Sequence, residues 1–224
     1  MTTRVGVVLF PGSNCELDVI EAVRTLGGDA EILWHGDATV NGVDAVVVPG
    51  GFAHGDYLRP GAIARFSPVM DAVTAFADAG GPVVGICNGF QVLTEAGLLP
   101  GALQKNRRLK FLCATTELRV ESTDSVLTSA ATVGQVLRVP INHFEGNYTC
   151  LPDTLDELRD QDRVVLRYVD NPNGSVDDIA GICNEARNVV GLMPHPERAS
   201  SELLGSTDGV PLLCSLLAAA RARV

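Results

Sequence analysis

Residues 83–93 read VVGICNGFQVL, and the fold turns on this stretch. Val83, Val84 and Ile86 are apolar and β-branched, the composition of a strand covered on both faces. Phe90, Val92, Leu93 and Ala96 have the spacing of a helix packed on that strand. A buried strand running directly into a helix is the repeating unit of a parallel α/β sheet, and Cys87 stands at the corner. Gly85 and Gly89, two residues to either side, permit the tight turn this corner requires.

The alternation continues in both directions. Val5 to Phe10 reads as a buried strand and Pro11 to Asn14 as a turn. Leu17, Ile20, Val23 and Leu26 form the apolar face of a helix that begins near Glu16 and stops at Gly27-Gly28. Ala30 to Trp34 and Asp44 to Val48 predict two more strands, and Ala62 to Ala79 a helix ending at Gly80-Gly81. Strands and helices in alternation imply right-handed crossovers. The expected fold is a three-layer α/β architecture, a mostly parallel central sheet with helices on both faces.

The middle changes character. Residues 111–120 and 135–141 read as strands joined by Ser/Thr-rich connections, which predicts a β-rich insertion at one sheet edge. Pro152 to Arg159 then reads as a helix. Val164 to Val169, Ser175 to Cys183 and Val189 to Met193 read as strands, with Asn171 to Gly174 as a turn, and Val210 to Ala220 as a closing helix.

Composition narrows the function. The 224 residues show no internal boundary, so a single domain over 1–224 is expected. Hydrophobic residues at 46% exclude wholesale disorder, and a net charge of -10 argues against nucleic acid as the main partner. No apolar run approaches the roughly 20 residues that span a bilayer, and the N-terminus lacks a signal-peptide pattern. The expected location is the cytoplasm, away from membranes. Six widely spaced cysteines predict free thiols. Without CxxC or HxxxH spacing no metal site is expected, and without GxGxxG or GxxxxGK any nucleotide in the chemistry would be held by another protein.

Three stretches carry chemistry. Gly85-Ile86-Cys87-Asn88-Gly89 is the thiol counterpart of a nucleophile elbow, and it presents the Cys87 sulfur at the sheet's carboxyl edge. There the helix dipole and the free amides of the first turn favour negative charge, and Asn88 N–H is placed to stabilise an oxyanion. In Pro194-His195-Pro196-Glu197 the prolines favour an extended backbone, on which Glu197 would face the same side as His195 and orient it as a base. Val46-Val47-Val48-Pro49-Gly50-Gly51-Phe52 is a buried strand opening into glycines, with Gly51 the second candidate oxyanion donor.

Taken singly, these stretches also read as a packing cysteine, a rigid surface turn and a plain glycine turn. Together they describe a nucleophile, a base and an oxyanion hole. A different elbow-cysteine hydrolase or peptidase would release product from a peptide or ester. A catalytically idle regulatory subunit would have a broken triad. Cys15 follows a tight turn at a helix start but has no histidine in its own segment. His35 reads as a solvated loop histidine. Lys105, Arg107, Arg108 and Lys110 read as a solvated basic loop or a partner-docking site, and Cys113, Cys150, Cys183 and Cys214 as small apolar fillers.

Cys87, His195 and Glu197, with the Pro-Gly-Gly loop upstream, resemble the Cys-His-Glu triad and oxyanion strand of class I glutamine amidotransferases. The resemblance runs through nearly the whole chain, in FPGSNCELD at 10–18, PGGFAHGDYLRPGAIARF at 49–66, GICNGFQVLTEAGLLPGAL at 85–103 and NPNGSVDDIAGICNEARNVVGLMPHPER at 171–198. The longer words are similar to one branch, glutaminase subunits that serve an ATP-dependent synthetase of purine biosynthesis. Ala53-His54 and Phe144 depart from that branch, where serine-tyrosine and glycine are commoner.

The resemblance implies a flavodoxin-like class I fold and hydrolysis of glutamine to glutamate and ammonia through a Cys87 thioester. It implies glutamine contacts from Gln91, Gly89, Phe52 and His143, with His143 open to a second reading as a hydrogen-bonding residue within the β-rich insertion. It places no cofactor in this chain, with ATP and Mg²⁺ on the partner synthetase, which amidates formylglycinamide ribonucleotide. A small accessory subunit is also implied.

Overall fold

The computed structural model describes residues 2–223. In chain order the elements are β1 (Arg4–Leu9), α1 (Glu16–Thr25), β2 (Asp29–Trp34), β3 (Ala45–Val48), α2 (Pro68–Asp78), β4 (Val83–Ile86), α3 (Asn88–Glu95), β5 (Ala102–Gln104), β6 (Leu112–Val120), β7 (Val136–His143), β8 (Asn147–Thr149), α4 (Pro152–Asp160), β9 (Val164–Tyr168), β10 (Ile179–Cys183), β11 (Val189–Leu192) and α5 (Val210–Arg221). The strands read as continuous apolar runs, β3, β4 and β11, are buried at every residue, as strands covered on both faces must be.

Nine strands form one sheet in the order β2-β1-β3-β4-β11-β10-β9-β6-β7. The first five pair in parallel, and the remaining pairings are antiparallel. Successive crossovers run in opposite directions, from β1 out to β2 with α1 and from β3 to β4 with α2. Right-handedness therefore puts α1 and α2 on opposite faces and makes a switch point between β1 and β3, where open α/β sheets hold their ligands.

The β-rich edge is present and larger than an insertion of two strands. β6 and β7 pair from Leu112↔His143 to Arg119↔Val136, and β9 and β10 join them to the parallel half. Along β7, Leu137, Val139 and Ile141 are buried at every second residue, and the same period carries His143 to the inner face. The chain then turns into β8, which pairs with β5 in a two-stranded ribbon missed from the sequence because each strand has only three residues.

Other corrections are local. The helix expected over 62–79 begins only at Pro68, after a short 3₁₀ turn at Ala64–Phe66, because proline fits the first helical position and holds Ser67 extended. Val176–Asp178 is a 3₁₀ turn ahead of β10. His35 is half-buried rather than solvated, edge-on to Trp34 and His54. Cys113 is exposed instead of filling the core, since it lies in the first half of β6, which pairs with β7 but runs beyond the β9 pairing at Leu118–Val120; all six thiols are free.

Candidate active site

The β4–α3 corner forces Cys87 to φ 52°, ψ -106°, a conformation that costs a non-glycine residue free energy and is held by its surroundings. Cys87 N–H donates to Leu192 O at 2.8 Å, and Gln91 N–H donates to Cys87 O at 3.2 Å. Gly89 lets the helix approach the sheet: a Cβ there would lie 1.8 Å from Val48 O. Cys87 is buried, and its thiol donates to Asn142 O at 3.7 Å.

The base arrives from the neighbouring strand. β11 is parallel to β4, with Leu192 opposite Ile86, so His195 emerges at the same carboxyl edge as Cys87. His195 N–H donates to Pro140 O at 2.8 Å, and its Nδ1 lies 2.6 Å from Glu197 Oε1. Glu197 sits in a 3₁₀ turn, Pro196–Ala199, rather than on the expected extended backbone, because Pro196 is tolerated as the first residue of a helical turn. The tighter turn still brings the carboxylate to Nδ1. Burial opposes charge on His195, but the Glu197 carboxylate, followed by the Cys87 and Cys15 sulfurs, holds the imidazolium well above its ordinary pKa.

Gly51 adopts φ +150° and leaves no room for a side chain, since a Cβ would meet Ser13 Cα at 2.7 Å. Its bridge to Ser13 uses Phe52 N–H on Gly12 O and Asn14 N–H on Gly50 O, leaving Gly51 N–H free of both. Asn88 is the first residue of α3, where a backbone N–H has no intrahelical acceptor. Its side chain ties the two oxyanion segments together. Oδ1 accepts from Ala53 N–H at 3.0 Å, and Nδ2 donates to Asp56 Oδ1 at 3.0 Å and Gln91 Oε1 at 2.9 Å.

One pocket gathers Cys87, His195, Gly51, Phe52, Gln91 and His143, with Asn14, Cys15, Asp56, Asn142, Phe144 and Glu145. Gly89 lies outside that lining and faces Val48. Gln91 lines the pocket with its amide engaged, Nε2 donating to Glu145 O at 2.6 Å. His143 Nδ1 meets Asn106 Oδ1 at 3.1 Å; burial, with His195 nearby, lowers its pKa to about 4. Burial raises Asp56 to about 6, against the Asn88 hydrogen bond and with help from Glu145. It also raises Glu145, opposed by Lys105.

Sequence reading missed Asp56, Asn142, Glu145 and the part played by Cys15. None has a motif of its own. Cys15 meets its histidine only in the fold, and its cation, Arg198, comes from 183 residues on.

Residues 2–208 match the family of the CobB/CobQ-like glutamine amidotransferase domain. The chain is 59% identical over 218 residues to the phosphoribosylformylglycinamidine synthase subunit PurQ of Rubrobacter xylanophilus, covering 97% of this chain and 99% of that one. It is 56% identical to the protein of that name from Koribacter versatilis, covering 96% and 97%. A chain in the structure of PurLQS from Thermotoga maritima superposes with a TM-score of 0.90 at 42% identity, over 97% of this chain and 99% of that chain. A putative GMP synthase component from Thermoplasma acidophilum shares the fold, with a TM-score of 0.68 at 18% identity over 100% and 96% of the two chains.

Proposed function

The chain belongs to the glutamine amidotransferase family, and from that premise we propose that it is the glutaminase subunit of phosphoribosylformylglycinamidine synthase. It hydrolyses glutamine and passes ammonia to an ATP-dependent synthetase that converts formylglycinamide ribonucleotide to its amidine in purine biosynthesis. The observation that carries the chemistry is the convergence of an elbow cysteine at positive φ, a histidine held 2.6 Å from a buried carboxylate, and a free Gly51 N–H on one pocket.

The steps follow from these positions. The Cys87 thiolate attacks the side-chain amide carbon of glutamine, and the oxyanion is held by the Gly51 and Asn88 amides. His195 protonates the departing ammonia, then takes a proton from the water that cleaves the thioester and releases glutamate. Glu197 keeps the imidazole in the required tautomer. Asn142, His143, Phe144 and Glu145 form one wall of the pocket. Phe52 and His143 border the entering side chain, and Gln91 positions the wall through Glu145 O.

Ammonia loses its nucleophilicity once protonated in water, so it has to pass to the synthetase directly. We assign the coupled reaction's ATP and Mg²⁺ to that partner, read residues 1–224 as one cytoplasmic glutaminase domain, and expect a small accessory subunit in the complex. No described helix is long and apolar enough to cross a membrane.

Glutamate release is measured for wild type and Cys87→Ala, with and without synthetase, ribonucleotide and ATP. Release should require Cys87 and rise with the partner, while Cys87→Ala keeps ammonia-dependent synthesis in the reconstituted complex. Absence of release in the complete mixture, or loss of ammonia-dependent turnover in the variant, refutes the assignment.

A further inference from the structure

The pocket that holds Cys87 also holds two carboxylates that the steps of hydrolysis leave unused, Asp56 and Glu145. Asp56 comes from the loop after β3 and Glu145 from the turn between β7 and β8, and both are half-buried. Asp56 Oδ1 accepts from Asn88 Nδ2 at 3.0 Å. Among the described residues neither acid belongs to an ion pair. Burial raises both, and the charge of Glu145 adds to the rise of Asp56, so the two stand close enough to repel. Two acids facing one pocket without a paired cation lose free energy to desolvation and to each other, and a cation between them would relieve both.

Their distance from the nucleophile is set by helix α3. Asn88 Nδ2 also donates to Gln91 Oε1 at 2.9 Å, and Gln91 Nε2 donates to Glu145 O at 2.6 Å, a chain that ties both acids to the helix. Gln91 is four residues beyond Cys87, about 6 Å along the helix axis. In extended glutamine four bonds of roughly 1.5 Å put the α-nitrogen about 5 Å from the carboxamide carbon. A substrate with its amide carbon at the Cys87 sulfur therefore brings its α-ammonium to the level of Gln91, between Asp56 and Glu145.

The wall beside the acids offers a further acceptor. His143 is 3% exposed and lines the pocket, and its Nε2 has no hydrogen-bond partner. Asn106 Nδ2 donates to Lys110 O and to His143 O, so Asn106 Oδ1 faces His143 Nδ1 as an acceptor and Nδ1 carries the proton. Nε2 is thus an unprotonated acceptor. Two carboxylates and an acceptor nitrogen match a cation with three N–H donors and reject an anion.

We propose that Asp56 and Glu145 form the subsite for the α-ammonium of glutamine and make the enzyme select an amino-acid amide over the same amide without the α-amino group. The inference rests on the glutaminase reading above and names the residues that give it substrate specificity. The ammonium donates to the Asp56 and Glu145 carboxylates, in charge-assisted hydrogen bonds that an uncharged methylene at the same position cannot make.

The test compares glutamine with glutaramate, which keeps the carboxamide and the carboxylate and lacks the α-amino group, in the reconstituted complex with ribonucleotide and ATP. Release of glutamate or glutarate is the readout. Wild type should favour glutamine in kcat/KM by at least ~100-fold, since glutaramate leaves the acids unpaired. Asp56→Asn keeps an oxygen for Asn88 Nδ2 but loses the charge, and should cut that preference at least ~10-fold, chiefly through KM for glutamine. Glu145→Gln should act in the same sense. A role confined to holding Asn88 would slow both amides equally and leave the ratio where it was. A wild type without the preference, or a ratio unmoved in a folded variant of either acid, overturns the inference and leaves the glutaminase reading standing. No glutamate release from glutamine by the wild-type complex overturns both.

Discussion

The Glu197 carboxylate lies 2.6 Å from His195 Nδ1 in a site where burial alone would push the imidazole toward neutrality. Because the folded-state pKa is raised, the imidazolium is lost only as pH climbs through that higher value. Protonation of ammonia needs the imidazolium, so this loss should appear as the alkaline limb of kcat/KM. In Glu197→Gln the charge is gone and burial prevails. The alkaline limb should move to lower pH and kcat should fall by about 100-fold or more; an unmoved limb in the pH–rate profile would count against this role for Glu197. At this scale the triad was legible because each member sits in a short motif that dictates its own backbone. Cys15, Asp56 and Asn142 carry no such motif, since their roles come from neighbours distant in sequence.

Helix α3 is the element on which the chemistry is mounted, and two of its residues fix its place. Gly89 lets it lie against β3, and a Cβ there would stand 1.8 Å from Val48 O. Gly89→Ala should cost roughly 1–3 kcal/mol as the helix is pushed off the sheet, seen as a lower urea midpoint together with lost glutaminase activity. An unshifted midpoint would mean that the helix has slack the packing does not show. Asn88 joins the helix to the Gly51 segment through Ala53 N–H and Asp56. Asn88→Ala keeps its own backbone donor but releases the other. Removal of one oxyanion donor costs about 100-fold in comparable sites, so loosening it should lower kcat by ~10-fold or more, and steady-state kinetics with an unchanged kcat would exclude the clamp. The sequence made this helix readable, yet pointed to Asn88 for its backbone alone. A side chain that links segments 35 residues apart has no periodicity to reveal it.

Across the whole molecule, the antiparallel half supplies the wall of a pocket whose floor belongs to the parallel half. His143 is the seam. Its pKa falls from an ordinary 6.5 to about 4, chiefly through burial and then through His195. The unfolded chain therefore binds more protons than the folded one between those values, and stability is lost as pH falls from about 6.5 toward 4. The full effect is about 3 kcal/mol. Asp56, raised to about 6, acts in the opposite sense and is partly solvent-screened, so the informative quantity is a difference between proteins. His143→Gln should show a shallower decline in unfolding free energy over that interval than wild type; identical slopes would refute the assignment. By itself the sequence determined the α/β alternation, the elbow, the base with its orienting carboxylate, and the family. These are encoded locally, in apolar runs, glycines that permit tight turns, and prolines that restrict their neighbours. Only the tertiary structure decided that β11 would lie beside β4, that β7 would deliver His143 to the pocket, and that Cys15 would face His195. Pairings between distant segments are set by the summed packing of the whole sheet, which no single stretch of chain contains.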